Sequence, residues 1–534
     1  MTNEFYLAGI ALALIVYMII GVVAGRKVKD KNDYYVAGRR APVALIVGSL
    51  IASFLSTGAF MGDAGEVYNG FFMGIVVVGI IQASGYIYGA GLFGRYIRRS
   101  GVNTVPEYFG ARFASRRLRV LASVTLIVAV SAYLLSAIQG VTTLMQSITG
   151  FSYSTCVLIA WVSFTLFTVY SGSMGVLVTE TVMFLVFLAA ALLGLPFVID
   201  AAGGWFAGIG DLATSQSNPG IIAWTNNLDY RFPSGMENLA WAITYGLVWA
   251  MVVAVSPWQT SRYLMAKDEH VVMRSAALAS IGVIVVTTAI YFTAAFVYAV
   301  NPHLADSSTV IIWAAMNLMP TVVGVVLLTG ILSAGISSAS TFLSLIGFSL
   351  TSDLFSKTGK TGRALMFSRI GMGAASLVVL AIAYFNPPQI FVIMYFGGTV
   401  IASSWGIVAI ASVWSKRLSE FGAFLGMLFG FFGCVVAKAG SAFADIDLPL
   451  WLDPFFVGLA ASAVGMVVGS IVKKPSLEES RFREGLFIRP PDTEKEPAIR
   501  WKRTHALTYA YVAFGVCVGL FFVFMYAVPY ALAE

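Results

Sequence analysis

The chain alternates long apolar stretches with shorter polar ones. Fourteen of the apolar stretches are long enough to cross a bilayer as a helix of roughly 20 residues. They run near 5–26, 43–69, 71–95, 119–148, 153–172, 175–199, 238–258, 273–299, 319–350, 364–385, 389–414, 420–440, 453–472 and 506–530. The first, from Tyr6 to Ala24, has no basic leader before it and reads as a spanning helix rather than a cleavable signal. The pattern predicts an all-α polytopic membrane protein.

Composition agrees. Of 534 residues, 58% are hydrophobic and 11% charged, where a soluble chain carries about a quarter charged. The net charge of +7 first suggests a nucleic-acid surface, but the placement of the basic residues argues against one. With the N-terminus outside, all but two of the 33 lysines and arginines fall on the cytoplasmic side. They lie in Arg26 to Arg40, Arg95 to Arg119, Arg262 to Arg274, Lys357 to Arg369, Lys416 and Arg417, and Lys473 to Arg503; the exceptions are Arg231 and Lys438. This asymmetry predicts that both termini are extracellular or periplasmic. The other loops carry Asp200, Asp211, Asp229, Asp445, Asp447 and Asp453. Residues 473–504, charged and proline-containing, read as a mostly solvated cytoplasmic linker. Cys156, Cys434 and Cys517 all lie in apolar segments, with neither metal spacing nor a disulfide framework.

Four features carry chemistry. The second segment, GSLIASFLSTGAFMGDAG from Gly48 to Gly65, crowds small and hydroxyl residues into its middle, with Asp63 and Glu66 near its outer end. The seventh, GLVWAMVVAVSPWQTSR, is interrupted at Ser256 and Pro257. These segments open two blocks of five, 43–200 and 238–414, which enter the membrane from opposite sides and are therefore inverted. Residues 1–42 form an extra helix and loop before them, and 415–534 the peripheral helices after them. Broken helices at matching places in inverted repeats point to a mid-membrane site, because unwinding frees carbonyls that can hold a cation; the same glycines and serines also permit close helix packing. The ninth segment adds Ser333, Ser337, Ser338, Ser340 and Thr341, hydroxyls that suit a weakly held alkali cation or bond back to the preceding turn. Finally, Glu180 stands inside an apolar span, either on an ion path or at the cytoplasmic interface.

The loop KNDYYVAGRR resembles a signature of the sodium:solute symporter family. So do VPEYFGARFASRRLRVLAS, VYSGSMGVLVTE, SPWQTSRYLMAK and LSAGISSASTFLSLIGFSLTSDLF, in that order across the first eleven segments. The resemblance implies a leucine-transporter-like fold with a five-plus-five inverted-repeat core, and inward sodium flow coupled to uptake of a small molecule. It places the main sodium site on the carbonyls of Ala52 and Leu55 with Ala334, Ser337 and Ser338. It places a second sodium near Glu180, Ser340 and Thr341, where the family usually has an aspartate instead of this glutamate. The positions that bind sugars in sugar-carrying members correspond to Ala59 and Val78, so a hexose is not expected. The expected cavity presents Ser56, Thr57, Gln82 and Gln139, walled by Phe60, Trp249 and Trp258. No arginine lies in the middle of the first core segments to clamp a carboxylate. The stretch YLLSAIQGVTTLMQSITG resembles the monocarboxylate branch, which favours a small organic acid or an amino acid as substrate.

Sodium is thus the expected coupling ion. The expected partners are a small molecule and the lipid bilayer, with no nucleic acid, and the expected state is a monomer or loose oligomer. A proton-coupled symporter of the same fold is the nearest alternative, since Glu180 is titratable. A transporter-like sensor is more distant, because such relatives append signalling domains. An enzyme is not expected: the sequence shows no His/Glu metal pair, phosphate-binding glycine loop or serine triad.

Overall fold

The computed structural model describes residues 2–25, 31–225, 234–354, 361–385, 390–444, 448–488 and 498–533. Arg26, Lys27, Lys29, Asp229, Arg231, Lys357, Lys360, Asp445, Asp447 and residues 489–497 of the expected linker lie outside them.

The chain is helical wherever the apolar pattern predicted it. Helix α1 (Thr2–Gly25) precedes a bent pair, α2 (Val43–Phe54) and α3 (Gly58–Tyr68), whose axes differ by 51°. Helix α4 (Phe72–Arg99), the short α5 (Val105–Arg112), α6 (Arg116–Thr149) and α7 (Tyr153–Ala201) complete the first block. The second block opens with another interrupted helix, α8 (Gly235–Val255) and α9 (Pro257–Met265), followed by α10 (Glu269–Val300), α11 (Thr321–Leu354), α12 (Thr361–Tyr384) and α13 (Ile390–Trp414). Helices α14 (Glu420–Ala444), α15 (Pro454–Val472), α16 (Leu477–Gly485) and α17 (Ala498–Phe522) follow.

Among the described residues, twelve helices are long and apolar enough to cross a membrane, and the bent pair makes a thirteenth, so the predicted count of fourteen is approximate. The difference lies in α7, where the segments expected at 153–172 and 175–199 join into one 49-residue run of helix. The Tyr153 hydroxyl donates to the carbonyl of Ala383, at the far end of α12, and Ser173 donates to the carbonyl of Tyr35. Just past the end of α7, the Trp205 indole donates to the carbonyl of Met525. Within the run, Ser173–Ala201 is long and apolar enough to cross, and Tyr153–Leu166 is a shorter apolar stretch.

Polar residues at the segment ends set where the helices start. Thr104, Ser115, Ser234 and Asp268 each accept a hydrogen bond from the backbone N–H three residues on, which supplies the partner that a first helical turn lacks. Helix α11 lies at the centre and is buried without interruption from Leu327 to Ser349. Helix α17 is the opposite: Tyr509, Val512, Val516 and Leu520 face outward, as a lipid-facing surface requires. Helix α4 and helix α8 approach closely at glycines. A Cβ on Gly85 would come within 2.4 Å of the carbonyl oxygen of Ala250, and one on Gly89 within 2.5 Å of the Ala254 Cα.

The predicted basic loops meet on one face, tied by arginines. Arg39 donates to the carbonyls of Gly101 and Val102, Arg98 to that of Ala266, and Arg112 to those of Ser412 and Glu479. Arg99 pairs with Glu269 at 2.5 Å, Arg117 with Glu420 at 2.6 Å and Arg119 with Asp353 at 2.8 Å. The expected solvated linker departs from this description at its start. Residues 477–485 fold as α16, with Ser476 and Glu479 forming a reciprocal capping box, and Glu479 is buried, accepting from the Glu420 N–H.

Candidate cation and substrate sites

The break in the first bent pair is built by Leu55 and Ser56. Leu55 turns extended, with φ −74° and ψ 102°, so the helix cannot continue through it. The Ser56 hydroxyl accepts from Gly58 N–H at 3.0 Å and its carbonyl accepts from Ala59 N–H at 3.1 Å, which starts α3. Carbonyls at the end of α2 therefore lose their partners four residues on. One finds a replacement across the interface: Ser337 Oγ of α11 donates to the Ala52 carbonyl at 2.8 Å, and also lies 3.1 Å from the Ala334 carbonyl. Ser338 Oγ, beside it, is fully buried and has no hydrogen-bond partner among the described residues. Ala52, Leu55, Ala334, Ser337 and Ser338 are all at most 1% exposed. The region offers neutral oxygens and an orphaned hydroxyl, which is the chemistry an alkali cation binds.

Glu180 lies deeper toward the basic face, fully buried, and its partner is an arginine that sequence reasoning had left in a loop. Arg262, on α9 just past the second break, places Nη2 2.7 and 2.9 Å from the two Glu180 oxygens. It also donates to Ser49 Oγ at 2.9 Å and to Thr341 Oγ1 at 2.6 Å. The hydroxyls of Ser49 and Thr341 in turn donate to Glu180. Ser340 does not join them; its hydroxyl donates to the Ser337 carbonyl at 2.9 Å. The result is a closed network between α2, α7, α9 and α11. Losing one partner of such a buried pair costs about 3–5 kcal/mol, because it strands the other charge. Beside this network, on the side of the basic face, is a cavity of about 20 Å³, lined by Thr104, Ser261, Arg262, Thr341 and Asp353 among others. That is room for about one water.

The opposite face is open. A cavity of about 520 Å³ descends from it, lined by Met61, Gly62, Glu66, Gln139, Asp306 and Phe391. Of the expected cavity residues, Gln139 lines it directly, and its Oε1 is buried without a partner. Thr57 packs against Gly140 and Gly335, its hydroxyl also unpartnered. Gln82 lies against the Tyr291 hydroxyl. Trp249 and Trp258 meet at Tyr133, with ring centroids 5.8 and 5.0 Å from it. Phe60 lies elsewhere, packed on Phe187 of α7 with centroids 6.2 Å apart. Sequence reasoning missed Tyr133, Tyr245 and Tyr291, which read as ordinary aromatics in apolar segments. It noticed Asp63 only as an acid near a helix end.

Inverted blocks that both open on a broken helix, a deep cavity open to one face, and neutral oxygens gathered at the first break define a secondary transporter built for a small solute and a cation. The chain belongs to the sodium:solute symporter family, whose family model matches residues 34–430, and sodium is its coupling ion. It is 24% identical over 481 residues to the sodium/pantothenate symporter of Escherichia coli (strain K12), covering 86% of this chain and 96% of that one. It is likewise 24% identical over 490 residues to the sodium/proline symporter of the same strain, covering 88% and 93%. Among solved structures, a substrate-bound, outward-open Na+-coupled sialic acid symporter superposes with a TM-score of 0.72 at 16% identity. That match covers 89% of this chain and 99% of the other, and it shows the shared fold.

Proposed function

We propose that this protein imports a small polar nutrient, a monocarboxylate or an amino acid, together with one sodium ion by alternating access. The observation that carries the reading is Ser337 Oγ at 2.8 Å from the Ala52 carbonyl, beside the orphaned Ser338 hydroxyl. Sodium entering there replaces a serine–carbonyl hydrogen bond with direct coordination by Ala52, Leu55, Ala334, Ser337 and Ser338. These oxygens carry no full charge, which keeps the ion releasable. The named relatives, symporters of pantothenate and of proline, support a small organic substrate.

A second sodium at Glu180, Ser340 and Thr341 would compete with the Arg262 guanidinium, which already supplies the positive charge there. That arrangement supports a single coupled sodium. The clustering of basic loops supports termini outside the cell membrane, so that the 520 Å³ cavity opens outward and the basic face is the closed, cytoplasmic side.

The test is binding of radiolabelled sodium to the purified protein, followed by uptake into proteoliposomes under a sodium gradient and, separately, under a proton gradient with potassium in place of sodium. Saturable sodium binding and sodium-driven uptake are expected. Uptake driven by protons alone overturns the reading in favour of a proton symporter.

A further inference from the structure

Four buried carboxylates are matched with arginines: Glu180 with Arg262, Asp353 with Arg119, Glu269 with Arg99 and Glu420 with Arg117. Asp63 differs from these four. It sits on α3, 7% exposed, and no lysine or arginine among the described residues pairs with it. The charged neighbour that acts on it is Glu66, of the same sign. Asp63 Oδ2 accepts from the Tyr291 hydroxyl at 3.2 Å, and Oδ1 is buried with no partner among the described residues. A carboxylate held this way is costly, and a cation that arrives from outside relieves the cost.

We infer that Asp63 recognises a cationic nitrogen on the transported substrate, an ammonium or quaternary ammonium, within a cage of aromatic rings on α6, α8 and α13. The inference rests on the symport reading and chooses within it. An amino acid or amine fits, and a plain monocarboxylate does not.

The surroundings decide between an organic cation and a metal ion. Tyr245 stacks on Trp241 at 4.8 Å, with the Phe391 ring 5.2 Å away. Trp249 stands edge-on to Tyr245 at 6.0 Å and to Tyr133 at 5.8 Å. Asp63 lies on the same short helix as Met61, Gly62 and Glu66, which line the open cavity together with Phe391. Aromatic faces are negative and hold alkylammonium groups, whereas sodium needs a shell of oxygens, which the Ala52–Ser337 region supplies instead. Phe391 lines the open cavity, so the cage is reached from that side, and Gln139 Oε1 in the same wall is a free acceptor for an ammonium N–H.

The experiment uses the purified full chain and matched probes: L-alanine against propionate, and choline against its tert-butyl carbon isostere. Thermal stabilisation is read with and without sodium. The expected result is sodium-dependent stabilisation by at least one ammonium compound and by neither isostere. In Asp63→Asn, affinity for that compound should fall about tenfold or more while stabilisation by sodium alone is retained. Equal stabilisation by both members of a pair, no stabilisation by either ammonium compound, or unchanged affinity in Asp63→Asn overturns the inference. If Asp63→Asn does not fold, the pairs in the unmodified protein still decide. Sodium that fails to stabilise the unmodified protein at all tells against symport itself, a separate outcome.

Discussion

Arg262 and Glu180 form a fully buried ion pair, 2.7 Å at its shortest, that joins the lower half of the second broken helix to α7. The pair is bracketed by the hydroxyls of Ser49 and Thr341, so each charge has several hydrogen bonds and none is left to water. It is a structural anchor, on the basic-face side of the proposed cation site.

Removing one member should therefore hurt more than removing both. Arg262→Ala and Glu180→Ala should each destabilise the protein by about 3–5 kcal/mol, and the double variant should recover part of that loss. Thermal melts of the three variants in detergent form the double-mutant cycle. Additive losses would show that the charges act independently.

Ser337 and Ser338 should separate stability from ion binding. The Ser337 hydroxyl serves the Ala52 carbonyl, so Ser337→Ala should lower both sodium affinity and sodium-free stability. Ser338 has no partner among the described residues to lose, so Ser338→Ala should leave sodium-free stability unchanged yet raise the half-saturating sodium concentration about tenfold. Sodium titrations with paired melts in sodium-free buffer read both quantities.

One sodium should accompany each substrate. Reversal-potential measurements in proteoliposomes give the ratio directly, and the expected value corresponds to one ion. A ratio of two would mean that Arg262 yields its place beside Glu180 during the cycle.

The proposed orientation can be read at two exposed side chains just beyond opposite ends of α15, Trp451 and Leu477. In a Cys517→Ser background, Trp451→Cys should react with an impermeant maleimide on intact cells, and Leu477→Cys only after permeabilisation. Labelling of Leu477→Cys from outside would invert the assigned topology.

Sugars should not compete. Ala59 and Val78 are apolar and at most 6% exposed, so a hexose hydroxyl beside them would go unpaired at a cost of roughly 1–3 kcal/mol each. Inhibition by glucose at micromolar concentration would refute this.

Both helix breaks were legible in the sequence because they are local. Pro257 lacks an N–H and follows Ser256, and the small and hydroxyl residues around Ser56 let the chain leave the helix between Phe54 and Gly58. Helix α16 was legible too, since Ser476 and Glu479 have capping-box spacing, but the charge of the stretch suggested solvation instead. The Arg262–Glu180 pair was not legible. Its members lie 82 residues apart, and hydrophobic periodicity says which face of a helix is buried, never which charge waits on the neighbouring one. The same limit hid Asp63: which side chains meet its carboxylate shows only once the helices around it are placed.

The glycine crossing of α4 and α8 constrains the machine mechanically. Where Gly85 and Gly89 let backbone touch backbone, neither helix has a side chain that could swing aside, and sliding one past the other would drive Ala250 and Ala254 into the opposing main chain. Those two helices, one from each block, are riveted into a single lever. If the solute moves by alternating access as proposed, the flexing is expected at the other seams, between α3 and α13 and between α2 and α11.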